Sequence, residues 1–456
     1  MSTYVVPGHV LCVLQKGEYN WDSTEQGLVL GSFYLGYIVT QLPGGWYAEK
    51  HGGKWLFGLG VLGTSMLSLL LPLSAMAGLP ALVTLRILQG LAEREDKCRC
   101  GQGVTFPAMF VLLTRWIPVK QRSLQLALTL IGANLGVVIA MPTASALAEQ
   151  GAGWPSVFYI FGVLGCVWFG AWTLLAFNQP LEHPYISQEE LLYLHTSIVD
   201  LSTTPKKHPK VPWKAIFSSQ PFWALLVTRW VSYWGLYLLI SELPLYMTTV
   251  LRVSLRQNSL ATSLIFSAQC LGMAAAGYLA DYLKNNDIIS LDSIRKSFEG
   301  IALLGSALSL VAIPNSHCEV PQVIALLIAF MTLYGFTAGG SSPTQMDIAP
   351  EFAGTITGLA STVGCSSGFL GPLFTGFMTD KKNVFQQTIE EWNFVFYTTA
   401  ILYLGGAMCF IVAGTSDVQP WAKLRSHSHH ILTDDGPETT TTTTTTTYRP
   451  LQDLVS

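Results

Sequence analysis

Apolar stretches of membrane-crossing length recur along the chain, parted by short polar breaks. The first set falls near 24–47, 54–76, 80–113, 124–147 and 154–175. A polar segment at 178–214 separates it from a second set near 222–245, 259–283, 298–314, 320–338, 352–378 and 394–414. Runs of about 20 mainly apolar residues predict transmembrane helices. The expectation is therefore an all-α polytopic membrane protein with eleven apparent spans. It divides into a lumenal stub (1–23), an N-terminal helix bundle (24–177), a cytosolic linker (178–214), a C-terminal helix bundle (215–414) and a disordered cytosolic tail (415–456).

The third stretch breaks the pattern in two ways. Its apolar run carries Arg86, Gln89 and Glu93, which at i, i+3 and i+7 share one helix face. Ionisable groups at membrane depth are costly and are kept where they meet a water-filled cavity, a substrate or a partner charge. This face predicts an anion site with a proton-titrating carboxylate beside it. The segment 94–102 then places Arg94, Glu95, Asp96, Lys97 and Arg99 where one continuous helix is expected. Each such charge costs about 2.5–3.5 kcal/mol at a helix centre on the insertion scale. Several together predict failed insertion or a bulged re-entrant loop, so 94–102 reads as a splice or gene-model insertion.

Loop charges orient the chain, because cytoplasmic loops carry the lysine and arginine excess. Lys50 and Lys54, then Arg115, Lys120 and Arg122, then Lys206, Lys207, Lys210 and Lys214, then Lys284, Arg295 and Lys296 fall in alternate loops. Arg252, Arg256, Lys381 and Lys382 run against this alternation. The polar centre and the C-terminus are thereby assigned to the cytosol. An offset of 232 residues relates the two halves: Gly45-Trp-Tyr-Ala-Glu49 answers to Gly277-Tyr-Leu-Ala-Asp281, Pro118 to Pro350, Gly132 to Gly364 and Gly136 to Gly368. Duplicated halves around a midplane site are an architecture of secondary transporters. The paired glycines would also allow close helix approach.

Composition sharpens this. Half the residues are hydrophobic and only 12% are charged, against the roughly 25% of soluble domains, which excludes a soluble protein. With a net charge of -3 and no basic block, nucleic acid is not an expected partner. Eight scattered cysteines give neither a disulfide framework nor a zinc site, and Cys98 and Cys100 read as incidental thiols. The stub lacks the features of a signal peptide. The tail holds nine consecutive threonines, 439–447, and then Tyr448-Arg-Pro-Leu451, which fits a tyrosine-based signal for a sorting adaptor.

The long motifs resemble a known family. Trp21-Asp22, the run GSFYLGYIVTQLPGGWYAEKHGGKWLFG from Gly31, the pieces RILQGLAE and GVTFPAM, WPSVFYIFG, MDIAP and QPWA are similar to solute carrier family 17. This is the sialin, vesicular glutamate and phosphate transporter branch of the major facilitator superfamily. The resemblance implies the major facilitator fold, two pseudo-symmetric helix bundles, with the family's first helix missing and its fourth interrupted. It implies that Arg86 recognises the anion and that Glu93 couples protons. Gly45, Glu49, Lys50 and Lys54, with Asp281 in the repeat, would form a cytosolic gate. Leu30 stands where the vesicular glutamate transporters carry histidine, which weakens that subtype. Arg229 is a candidate second cationic group, against a snorkelling arginine at the interface.

Arginine suits this work because it stays protonated and offers a planar fork of donors to a carboxylate or phosphate. Glu93, about 10 Å further along the helix, would gain a proton as an arriving anion neutralises Arg86, which gives symport a physical basis. A structural Arg86–Glu93 ion pair is the competing reading. Tyr34, Tyr37, Phe106, Trp234 and Tyr237 are candidate cavity aromatics, Tyr34 and Tyr37 foremost. The expected function is secondary transport of an organic anion, sialic acid or an acidic amino acid with protons, with no cofactor and no enzymatic activity. Sodium-coupled phosphate transport and a transport-defective isoform are the alternatives. The expected site of residence is a lysosomal, vesicular or plasma membrane.

Overall fold

A computed structural model describes residues 2–6, 9–13, 23–91, 94–95, 98–99, 104–118, 121–149, 153–197, 211–316, 319–379 and 385–423. Helices dominate. In the first half they are α1 (Ser23–His51), α2 (Lys54–Ala77), α3 (Leu79–Leu91), α4 (Thr105–Trp116), α5 (Arg122–Glu149) and α6 (Pro155–Leu175). After the short α7 (Gln188–Ser197) and α8 (Trp213–Phe217) come α9 (Gln220–Thr249), α10 (Leu255–Asn285), α11 (Leu291–Ala312), α12 (Val320–Tyr334), α13 (Ser341–Asp347), α14 (Ala353–Thr379), α15 (Phe385–Ala413) and α16 (Pro420–Lys423).

Among the described residues, eight segments are long and apolar enough to cross a membrane, with α12 through α13 counted as one. Of the other three expected spans, α1 and α14 have the length, at 29 and 27 residues. Their glycines, serines and polar groups dilute the apolar character, and they can carry these because each packs against the other. The third is split. α3 ends at Leu91 and α4 begins at Thr105, and Arg94–Glu95 pairs antiparallel with Cys98–Arg99 between them. At 13 and 12 residues the pieces reach about 20 Å each, short of the roughly 30 Å hydrocarbon core.

The halves meet along two seams, α1 on α14 and α5 on α10. These are equivalent pairs in the 232-residue repeat. The stub differs from the all-α expectation: Ser2–Val6 pairs antiparallel with His9–Val13, and this hairpin lies against α1, α5 and α9. The tail differs too, since its first residues are fixed. Ser416 N donates to Asp292 Oδ1 at 2.8 Å, Gln419 N donates to Ile348 O at 2.9 Å, and α16 follows. The threonine run and Tyr448–Leu451 lie outside the described residues. So do Lys120, Lys206, Lys207, Lys210, Lys381 and Lys382.

Candidate functional site

The site is built where α1 and α3 touch. A Cβ on Gly36 would stand 2.2 Å from Ile87 O, and one on Gly90 would stand 2.3 Å from Phe33 O. Only glycine at both positions lets the two backbones come this close. That contact brings Tyr34 and Tyr37 of α1 beside Arg86 and Gln89 of α3. All four are buried, Arg86 being only 2% exposed. Arg86 Nη1 donates to Gln89 Oε1 at 3.3 Å, and Gln89 Nε2 donates to Ser68 Oγ of α2 at 3.1 Å. Among the described residues, Arg86 Nε and Nη2 meet no acceptor. Two unused donors on one buried guanidinium match the bidentate geometry of a carboxylate or phosphate. Glu93 lies outside the described residues.

An aromatic chain carries the site across to the other half. The Tyr34 and Tyr237 rings meet edge to face at 5.1 Å, Tyr237 stacks on Tyr233 at 5.6 Å, and the Arg229 guanidinium sits 4.6 Å from the Tyr233 ring centre. α14 leaves room for the rings at Gly364, facing Tyr233, and Gly368, facing Tyr34. Their repeat equivalents differ: among the described residues nothing lies within 4 Å of a Cβ on Gly132 or Gly136, so neither supports close helix approach. Arg229 is no interfacial arginine. It is 6% exposed, and its Nη1 donates to Ser342 Oγ at 3.1 Å and Ser341 Oγ at 3.4 Å. Two aromatic candidates fall elsewhere. Trp234 donates to Thr399 on α15, and Phe106 packs with Phe110, Leu126 and Met346.

At the basic end of the molecule the two halves are pinned symmetrically. Glu49, in the last turn of α1, accepts from Thr355 N and from Thr355 Oγ1, at 2.6 and 2.9 Å, at the start of α14. Asp281, near the end of α10, accepts from Ser123 N at 3.2 Å and Leu124 N at 2.8 Å at the start of α5. Each carboxylate thus caps a helix of the other half, where free backbone N–H groups and the helix dipole favour negative charge. Gly45 permits the seam, since a Cβ there would stand 2.2 Å from Gly354 O. Lys50 and Lys54 do not take part. Lys50 lies over Trp46, and Lys54 over Trp55 and Phe177.

The same end holds an ion triad that the sequence reading missed. Asp347 of α13 binds Arg122 of α5 at 2.9 Å through one oxygen and Arg295 of α11 at 2.9 Å through the other. Arg295 also donates to Ser123 Oγ and Gly339 O. In the sequence it falls in a basic loop, yet it is 1% exposed. A usable signal exists: Phe298 and Ala302, at i+3 and i+7 from Arg295 and so on its helix face, are both buried.

Comparison with known proteins places the chain in a family. The family model of the Major Facilitator Superfamily matches residues 5–372. Human sialin is 37% identical over 412 residues, covering 90% of this chain and 80% of that protein. Vesicular glutamate transporter 1 of Bos taurus is 33% identical, covering 91% and 71%. The chain belongs to solute carrier family 17 of the major facilitator superfamily. It is a multi-pass membrane transporter and not an enzyme. Among solved structures, the bacterial homologue of the human lysosomal transporter Spinster, inward-facing and unoccupied, superimposes with a TM-score of 0.60 at 18% identity, covering 86% of this chain and 89% of that one. The proton:xylose symporter XylE gives 0.66 at 11%, covering 92% of each. At these identities the likeness concerns the fold alone.

Proposed function

We propose that this chain carries organic anions of the sialic acid or acidic amino acid class together with protons, by alternating access of its two halves. The observation that carries the reading is Arg86, a buried guanidinium on an apolar helix with two nitrogens, Nε and Nη2, that meet no acceptor among the described residues. Leaving such groups unpaired costs about 1–3 kcal/mol or more, a cost that an arriving anion removes. Glu93 is the proposed proton carrier beside it, and Arg229 a second cationic contact reached through the tyrosines. Glu49, Asp281 and the Asp347 triad form the proposed cytosolic gate. The proposed residence is a lysosomal or vesicular membrane, with Tyr448 and Leu451 read by a sorting adaptor.

The test is uptake of labelled sialic acid, glutamate and phosphate into proteoliposomes, under a pH gradient and separately under a sodium gradient. Accumulation of an organic anion driven by protons is expected. Phosphate uptake driven only by sodium would replace this reading, and no uptake of any of the three would end it. Glu93→Gln should lower the number of protons carried per anion while exchange persists. An unchanged proton number would remove Glu93 from the coupling.

A further inference from the structure

Four residues from Arg295 on α11, about 6 Å further into the bundle, lies another buried carboxylate. Glu299 is fully buried, with 0% exposure. Its Oε2 accepts from Ser341 N at 2.8 Å and its Oε1 from Ser232 Oγ at 3.3 Å. Arg229 comes to the same place from α9, its Nη1 donating to the hydroxyl of Ser341. Ser341 therefore stands between the two charges, with its backbone on the carboxylate and its side chain on the guanidinium.

The groups facing Glu299 are few. Arg229 approaches from α9, Tyr334 from α12 and Tyr403 from α15. On its own helix the next charges are Lys296, paired with Asp292, and Arg295, committed to Asp347. The phenol of Tyr403 donates to Ser232 O at 3.4 Å. Arg229 is thus the one cation near enough to hold Glu299 ionised among the described residues. A carboxylate in so apolar a setting keeps its charge only while a cation or several donors offset the lost hydration.

We propose that Glu299 is a proton-binding site of the C-terminal half, filled when anionic substrate engages Arg229. The anion draws the guanidinium charge to itself, Glu299 takes a proton at a carboxylate oxygen, and no net charge is added to the site. Release of the anion returns Arg229 to Glu299, which then gives up the proton. The position also ties this step to the gate. α13 is held at Ser341 by Glu299 and at Asp347 by Arg295 and Arg122. Loss of charge at Glu299 weakens the first hold on the element that carries the second.

This inference rests on the transport reading above, and the test keeps the two apart. The full chain and Glu299→Gln are compared in proteoliposomes for exchange at equal pH and for protons carried per anion, the latter from the pH gradient that just balances an opposing anion gradient. The variant should exchange within about threefold of the parent and carry one proton fewer per anion. Equal proton numbers in the two proteins overturn the proposal. So does equal loss of exchange and accumulation in a variant that is folded and monodisperse, since that marks a structural residue. If Glu299→Gln does not fold, Glu299→Asp keeps a titrating group at a shifted distance from Arg229. The pH midpoint of anion binding, read by tryptophan fluorescence, should then move, and an unmoved midpoint overturns the proposal. A parent protein with no proton-coupled transport would overturn the transport reading itself and this inference with it.

Discussion

At the scale of the residue, the site depends on a few atoms that have no room to move. Gly90 is the clearest case. A side chain there would meet the Phe33 carbonyl and the Tyr37 N–H, both backbone groups of α1. Gly90→Val should therefore separate α1 from α3, displace Tyr34 and Tyr37 from Arg86, and lower the yield of monodisperse protein at least severalfold. Size-exclusion chromatography in detergent checks this, and a normal profile would show that the seam has slack. Arg86 was legible in the sequence because a charge inside an apolar run has to be explained. Glu299 and Asp347 were not. Glu299 is the second residue of the stretch near 298–314 and follows the basic pair Arg295-Lys296, so in sequence it reads as a boundary charge, and Asp347 sits in a short motif with nothing to announce its two arginine partners.

At the scale of the element, the broken fourth span was foreseen from hydropathy, and the physical cause is charge. Neither α3 nor α4 reaches across a bilayer alone. Removing residues 94–102 should join them into one helix of sufficient length, raise the apparent Tm by several degrees, and leave transport equal or better. Normal transport by the parent together with an inactive deletion would mean that 94–102 serves the protein as it stands. The symmetric caps were only partly readable. The repeat predicted equivalent acidic residues at Glu49 and Asp281, but which helix each would cap follows from packing between the halves. Lys50 and Lys54, expected in the gate with Glu49, lie over aromatic rings instead.

At the scale of the whole molecule, two bundles meet along equivalent seams and are locked at the basic end by the Asp347 triad. Removing one partner of a buried ion cluster costs about 3–5 kcal/mol, because charges are left uncompensated. Asp347→Asn should thus favour the state open at that end. A cysteine replacing Ala127, which is fully buried near α10, should then react with a membrane-impermeant maleimide many times faster than in the Asp347 parent, both on a cysteine-free background. Equal rates would mean that the triad does not hold the gate. The two sets of apolar stretches and the residues matched at an offset of 232 made the two halves legible, whereas the contacts at the basic end were not, since Glu49 meets Thr355 and Arg122 meets Asp347 across 306 and 225 positions.

The account stands or falls on Arg86 as the anion ligand. The direct measurement is proton-driven uptake of labelled sialic acid or glutamate by parent, Arg86→Lys and Arg86→Ala, with matched amounts of folded protein in proteoliposomes. Losing a charge-assisted bidentate contact of about 1.5–3 kcal/mol predicts uptake lowered tenfold or more in Arg86→Lys and further in Arg86→Ala. Parent-level uptake by either variant would contradict the account.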